Sequence, residues 1–290
     1  MNTIWSTYIQ NIGTLYSSRS LRFADHFKDR YMEVFGIDDK SKMLEIGCGP
    51  GALAESLGRW YPHSQIYGVD RDSNFITFAR EKMPGIEFLE GDATALPFED
   101  GLFDVTISNT VAEHIEPSKF YSEQHRVLKE NGVCLVMSAR RGINIPAPCI
   151  SEETEFEQDI WRRADKYFKE AHTKYRVCEY PQSEAELPIC MEKYGFKNVS
   201  TEYITVNLTP DNPCYSKEMA YAMINENRQN DLDNAEILLH IANEVITPSE
   251  VDELKRLIHA KYDKRIQLYD QGIKQWDTKM SVTMVVRGVK

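Results

Sequence analysis

Between residues 43 and 138, short apolar runs alternate with amphipathic stretches. "MLEIG" (43–47), "QIYGVD" (65–70), "IEFLEGD" (86–92), "FDVTISN" (103–109) and "GVCLVMSA" (132–139) have the length of buried strands. "SNFITFAREKM" (73–83) and "SKFYSEQHRVLKEN" (118–131) lie between them and read as helices. Alternation of this kind predicts βαβ units: an α/β, Rossmann-like, mostly parallel sheet with helices on both faces. "SEAELPICMEKYGF" adds a helix opened by a Ser183–Glu186 capping box and closed at Gly195. "KNVSTEYITVNL" (197–208) and "MSVTMVVRG" (280–288) then bring the expected strands to seven.

Three stretches fall outside that sheet. The first 36 residues read as helical, with Trp5, Tyr8, Tyr16 and Phe23 as aromatic anchors. Residues 141–182 contain a helix from Thr154, with Glu157 completing a capping box and Phe156, Ile160, Ala164, Tyr167, Phe168 and Ala171 at helical spacing. Its acids come first and its bases later, which suits the helix dipole and marks a solvated face. Residues 209–279 hold a second helical insertion, whose longest helix starts at "TPSE" with Pro248 in its first position. Val251, Leu254, Ile258, Tyr262, Tyr269, Ile273 and Trp276 give it an apolar stripe expected to run over 248–276. The expected organisation is an N-terminal helical lid, 1–36, on one domain, 37–290, interrupted at 141–182 and 209–279.

Charge narrows the partners. A net charge of −11 over 290 residues repels polyanions, and no basic patch offsets it, so nucleic acid is not the expected partner. The N-terminus lacks a signal-peptide pattern, and no apolar run is long enough to span a bilayer; a cytoplasmic protein without a membrane partner is expected. Six cysteines (48, 134, 149, 178, 190 and 214) contain no C-x-x-C pair and read as reduced thiols. A soft-metalloid site from Cys149, Cys178, Cys190 and Cys214 is the weaker alternative, because buried cysteine usually serves as a small hydrophobe.

The candidate chemistry begins at "MLEIGCGPGALAESL" (43–57), a glycine-rich strand-to-helix turn. Gly47, Gly49 and Ala52 fit a dinucleotide fingerprint, whereas Gly47, Gly49 and Gly51 fit the loop of S-adenosylmethionine sites. Glu45 favours the second ligand, because a carboxylate there can receive an α-ammonium but gains nothing beside a pyrophosphate. Asp70 can accept both ribose hydroxyls in either case. In "GDATALPF" (91–98), Asp92 suits an adenine amine and the Ala93 backbone N–H a ring nitrogen. Asn109 and Thr110 sit at the tip of the fourth strand, where strand order reverses and ligands bind.

Together the run "LEIGCGPG … VDRD … GDATALPF … FDVTISNTVAEHI … RVLKENGVCLV" resembles class I S-adenosylmethionine-dependent methyltransferases over residues 43–140. It looks most like the small-molecule group that includes quinone-biosynthesis and sterol methyltransferases. The resemblance implies a seven-stranded sheet with the last strand inserted antiparallel beside the fifth. It also implies cofactor contacts at Glu45, Gly47, Gly49, Gly51, Asp70, Asp92 and Asn109; Cys48, Arg71, Ala93 and Thr110 complete the candidate set.

Methyl transfer from a sulfonium asks the protein for orientation and exclusion of water, with no nucleophile or metal required. A base is needed only if the acceptor loses a proton, and His114 with Glu113 is the candidate. Arg140 and Arg141 are candidates for clamping an acidic acceptor. Tyr8, Tyr16, Trp161 and Tyr167 are candidates for lining a lid over a small-molecule acceptor. The expected function is therefore methyl transfer to a small molecule. The alternatives are a non-catalytic cofactor-binding regulator or partner subunit, and a protein or RNA methyltransferase. Segments 1–36 and 141–182 are expected to close over the cofactor. The long stripe from residue 248 is expected to serve either the cap or a homodimer interface.

Overall fold

The computed structural model describes residues 4–145 and 153–290, the side chains of 141–145 excepted. Seven strands form one sheet in the order β3-β2-β1-β4-β5-β7-β6. They are β1 Lys42–Ile46, β2 Gln65–Asp70, β3 Glu87–Glu90, β4 Phe103–Asn109, β5 Leu128–Ile145, β6 Lys197–Leu208 and β7 Thr278–Val289. β1 to β5 run parallel, and β7 is inserted antiparallel between β5 and β6. The order reverses between β1, which leads to β2 and β3, and β4, which leads away to β5. A crevice opens at the carboxyl ends of those two strands.

Alternate side chains of the buried strands feed opposite faces. Met43, Val105, Ile107, Leu135 and Met137 pack beneath α3 (Lys28–Phe35), α4 (Ala52–Trp60) and α5 (Ser73–Lys82). Leu44, Ile46, Cys134, Val136 and Met284 pack beneath α6 (Pro117–Val127) and α8 (Glu186–Lys193). The N-terminal stretch therefore divides. α1 (Ile4–Tyr8) and α2 (Ile12–Arg22) lie over the strand ends, but α3 buries Tyr31, Val34 and Phe35 in the main core and belongs to the sheet domain.

A third core holds the helical additions together. α7 (Glu155–Lys174), α9 (Lys217–Ile241) and α10 (Pro248–Asp270) bury Ile160, Ala164, Ile224, Leu238, Val251, Leu254 and Ile258 against one another. Thr154 and Thr247 open α7 and α10 with full capping boxes. α10 stops at Asp270, short of the expected 276, because Gly272 follows in a left-handed conformation (φ 70°). Its stripe, as far as Tyr262, is covered inside the chain, so the use expected of it at a dimer interface is not needed to bury it. Ile273 and Trp276 lie beyond the helix and are exposed.

Two further expectations change. "LKEN" (128–131) is strand, not the end of a helix. Asn131 adopts φ 64°, and the β4–β5 register shifts there in a bulge. β5 also continues to Ile145, so the first insertion begins later than residue 141. The second insertion is closed at its base by Arg265, fully buried between Asp211 and Asp277 at 2.8 and 2.6 Å. Asp211 also accepts the backbone N–H groups of Gln275 and Trp276.

Candidate active site

The turn after β1 must deliver the chain into α4 within five residues. Gly47, Gly49 and Gly51 all take positive φ (67°, 53° and 86°). A Cβ on Gly47 would stand 2.5 Å from Val111 Cγ2, so side chains are excluded there by contact as well as conformation. The turn is fixed to β2: Gly47 and Cys48 donate to the Val69 carbonyl, and Gly49 N–H donates to Asp70 Oδ2 at 2.8 Å. Asp70 Oδ1 accepts from Asp72 N–H at 2.9 Å, so each carboxylate oxygen retains a lone pair toward the crevice.

Glu45, at the end of β1, is almost wholly buried, and its Oε2 has no hydrogen-bond partner. Burial raises its pKa well above the usual glutamate range; an N–H bond from Ala54, and the charge of Arg19 opposing that of Asp70, only moderate the shift. Burial likewise raises Asp70, against its two backbone hydrogen bonds. Cys48 is buried in the turn with its thiol pushed well up, which makes it inert.

Arg19 was not anticipated. From the last turn of α2 it reaches across to donate to Thr110 Oγ1 at 2.9 Å, and burial lowers its pKa to about 10. Its charge is felt by both Glu45 and Glu113, yet no carboxylate among the described residues lies within ion-pair distance of it. The local sequence, "SSRSLR", carries nothing that ties it to a strand tip 91 residues away.

These groups line one cavity of about 760 Å³. Glu45, Gly47, Cys48, Gly49, Asp70, Arg71, Asp92, Ala93, Asn109 and Thr110 form its floor, and of the candidate cofactor set only Gly51 is missing. Gly51 turns instead toward Met83 and Phe88 in the core. Asp92 Oδ1 is occupied by Thr94 N–H and Oγ1, each at 2.8 Å. The roof comes from α1, α2 and the segment that follows α7: Trp5, Ile9, Leu15, His172, Tyr175, Val177 and Tyr180.

Side-chain bonds and ring contacts tie α1 and the segment after α7 to the floor. Asp72, fully buried at the start of α5, accepts from Ser6 N–H at 2.8 Å and Ser6 Oγ at 2.9 Å. Trp5 sets its ring edge-on to His114 at 4.7 Å and lies under the Arg71 guanidinium. Tyr8 stacks on Tyr175 with ring centroids 5.2 Å apart. His114 Nδ1 accepts the Cys178 N–H at 2.8 Å, and the Glu113 carbonyl accepts the Tyr180 N–H at 2.8 Å. Arg176 and Cys178, both at positive φ, are held in that turn by these bonds.

The candidate catalytic and acceptor side chains are spread more widely than the cofactor set. With Nδ1 accepting, neutral His114 carries its proton on Nε2. Burial, with Arg71 nearby, lowers its pKa to about 4, which keeps the ring neutral near pH 7. The Glu113 side chain does not line the cavity, although its Oε2 is buried and unpartnered. Arg140 is also elsewhere: it donates to the Gln182 carbonyl at 3.1 Å and lies 3.1 Å from Glu184, so its charge is spent anchoring the chain before α8. Tyr16 turns away to Glu55 and Phe78, and Trp161 and Tyr8 border a separate space beneath α7 and α9. Tyr167 packs among the cap helices. The Arg141 side chain and Cys149 lie outside the described residues. Among the described residues no group of three His, Cys, Asp or Glu side chains could hold a metal, and no helix is long and apolar enough to cross a membrane.

Known proteins resemble the segment that carries this floor. Residues 44–136 match the family described as "Methyltransferase domain". A fatty-acid O-methyltransferase of Mycolicibacterium smegmatis is 38% identical over 109 residues, 36% of this chain and 39% of that protein. A demethylmenaquinone methyltransferase of Chlorobaculum tepidum is 29% identical over 164 residues, 54% of this chain and 65% of that one. The chain thus spans between 39% and 65% of the length of these curated relatives. Phosphoethanolamine N-methyltransferase 2 of Haemonchus contortus, solved with S-adenosyl-L-methionine, has the same fold. Its TM-score is 0.54 at 19% identity, over 99% of this chain and 59% of that one.

Proposed function

The chain belongs to the class I S-adenosylmethionine-dependent methyltransferases through residues 44–136, and from that premise we propose that the whole protein methylates a small-molecule acceptor under its helical roof. The observation that carries the reading is the single cavity of about 760 Å³, within the ordinary range for small-molecule sites, which joins the cofactor floor to the roof. The relatives' names, a fatty acid in one and a demethylmenaquinone in the other, are in keeping with a small acceptor.

S-adenosylmethionine fits the floor on three observations: the orphaned Glu45 carboxyl, the turn at Gly47 that a Cβ would block, and the free lone pairs of Asp70. In this reading Glu45 takes the α-ammonium and Arg19 the α-carboxylate, so the two ends of one zwitterion answer two buried groups of opposite sign. Asp70 accepts the ribose hydroxyls, and Asp92 with the Ala93 N–H reads the adenine edge. When bound, the cofactor supplies a methyl group already activated on a sulfonium. The chain's residues orient and exclude water. His114 acts in this scheme as a positioning group, holding the 176–180 segment through Nδ1 while Trp5 packs on its ring. α1, α2 and the segment after α7 act as the lid.

Calorimetry with S-adenosylhomocysteine and with NAD tests the cofactor, and labelled methyl transfer into a metabolite extract tests catalysis. Tight binding of the first ligand alone, with label appearing in a small molecule, is expected. Binding of NAD alone would overturn the cofactor assignment. Binding of S-adenosylhomocysteine without transfer into any fraction would make the protein a non-catalytic sensor.

A further inference from the structure

Beside the cofactor cavity lies a second one, of about 530 Å³, between the end of α1 and helices α7, α9 and α10. None of its lining residues comes from 44–136; every wall is built by the helical additions. Ile9 and His172 line both cavities. The other part of the partition is an aromatic stack, in which Tyr8 faces the second cavity and Tyr175 the first. The two spaces meet at these side chains, at the end of a five-residue helix and at the last turn of α7.

The walls have an apolar side and a polar one. Trp161, Phe168, Ile237, Ile241 and Ile258 supply the apolar side. Of the charged groups in the lining, Glu153 is exposed, while Asp231, Lys261 and Glu157 are engaged within the chain. Asp231 accepts from Tyr262 Oη at 2.8 Å and pairs with Lys261 at 3.2 Å, and the Glu157 carboxylate caps its own helix at the Thr154 N–H. Hydrocarbon laid along the Trp161, Phe168 and isoleucine side of this wall displaces water from apolar surface, which favours binding.

We propose that this second cavity is the tail chamber of the methyl acceptor, which is an amphiphile. Its reactive head enters the cofactor cavity, and its hydrocarbon tail passes the Tyr8–Tyr175 stack into the space under the cap. The proposal rests on the methyltransferase reading for the head and adds the class of acceptor. It also gives the helical additions a use: they enclose a volume that residues 44–136 alone cannot form.

The test uses the full chain saturated with S-adenosylhomocysteine and titrated calorimetrically with straight-chain n-alkanols from butanol to decanol. Each added methylene should tighten binding about fourfold until the chamber is filled. Ala171→Phe, which projects into this cavity and not the first, should abolish the length dependence and leave S-adenosylhomocysteine affinity unchanged. Trp161→Ala should move the plateau to longer alkanols, and it serves as the second variant if the larger side chain impairs folding. Absence of length-dependent binding in the unmodified chain, or the same dependence in both variants, would overturn the chamber while sparing the proposed function. Failure of S-adenosylhomocysteine to bind would count against the cofactor reading instead.

Discussion

The floor and the roof of the cofactor cavity are built on opposite principles. The floor belongs to four adjacent parallel strands, β3-β2-β1-β4, and its turn is fixed from one strand tip to the next, by Gly47 and Cys48 N–H on the Val69 carbonyl and Gly49 N–H on the Asp70 carboxylate. The roof is a set of side chains on short helices, held by Ser6 on Asp72, Trp5 on His114 and Cys178 on His114. A rigid floor can preorganise charge for a constant ligand. In the roof, α1 buries no residue and can open for a variable ligand, whereas α2 buries Thr14, Leu15 and Leu21 and stays with the domain. Arg19 joins the two, because it is carried by a roof helix and spends its hydrogen bond on a floor residue.

The largest effect should come from breaking the floor. Gly47→Val forces a branched side chain into a left-handed turn and against Val111, so cofactor affinity should fall by roughly 3 kcal/mol or more in calorimetry. A folded variant that bound normally would show that the turn does not carry the site. Arg19→Gln should weaken S-adenosylhomocysteine by about 1.5–3 kcal/mol yet leave methylthioadenosine, which lacks the amino-acid end, unaffected. Equal losses for both ligands would assign Arg19 to the roof's structure alone.

The floor also predicts a pH dependence. In the free chain burial holds the Glu45 carboxyl protonated above the ordinary glutamate range, with Asp70 reinforcing this and Arg19 and the Ala54 N–H opposing it. An ammonium bound against it lowers that pKa, so binding releases a proton. Affinity should therefore rise with pH, by at most about tenfold per unit, until the raised pKa of the free chain is passed. Titrations in buffers of different ionisation enthalpy measure the released proton, and Glu45→Gln should abolish the release.

On the roof, Ser6→Ala should cost about 1 kcal/mol of local stability, seen as faster hydrogen exchange in 4–22 with little change in cofactor affinity. Smallest of all, Tyr16→Phe should leave binding within about 0.5 kcal/mol, because its hydroxyl is engaged with Glu55 away from the cavity. A large loss would put Tyr16 back among the acceptor groups.

What the sequence discloses follows the same division. That Glu45, Asp70, Asp92 and Asn109 would meet at one crevice was legible because each stands at or just past the carboxyl end of a strand, and strand periodicity locates those places. Capping boxes at Thr154, Ser183 and Thr247 were legible for the same reason: they are local. Arg19, Tyr175 and Tyr180 were not, because their positions depend on how helices dock across the strand tips. Arg140 misled because being at the tip of a strand suggested the crevice, whereas Gln182 and Glu184 draw it to the neighbouring segment. The α10 stripe misled in a similar way, since Ile273 and Trp276 keep helical spacing after Gly272 has ended the helix.

The antiparallel seat of β7 has a consequence for the making of the protein. β5 and β6 are not paired with each other; each waits for residues 278–289, which are synthesised after both, to fill the gap between them. Until then a growing chain carries two long unpaired strand edges, the kind of surface that recruits strands from other molecules. Nascent chains halted before β7 should therefore be the species that chaperones retain, and the helical cap folded between β6 and β7 sets how long that exposure lasts.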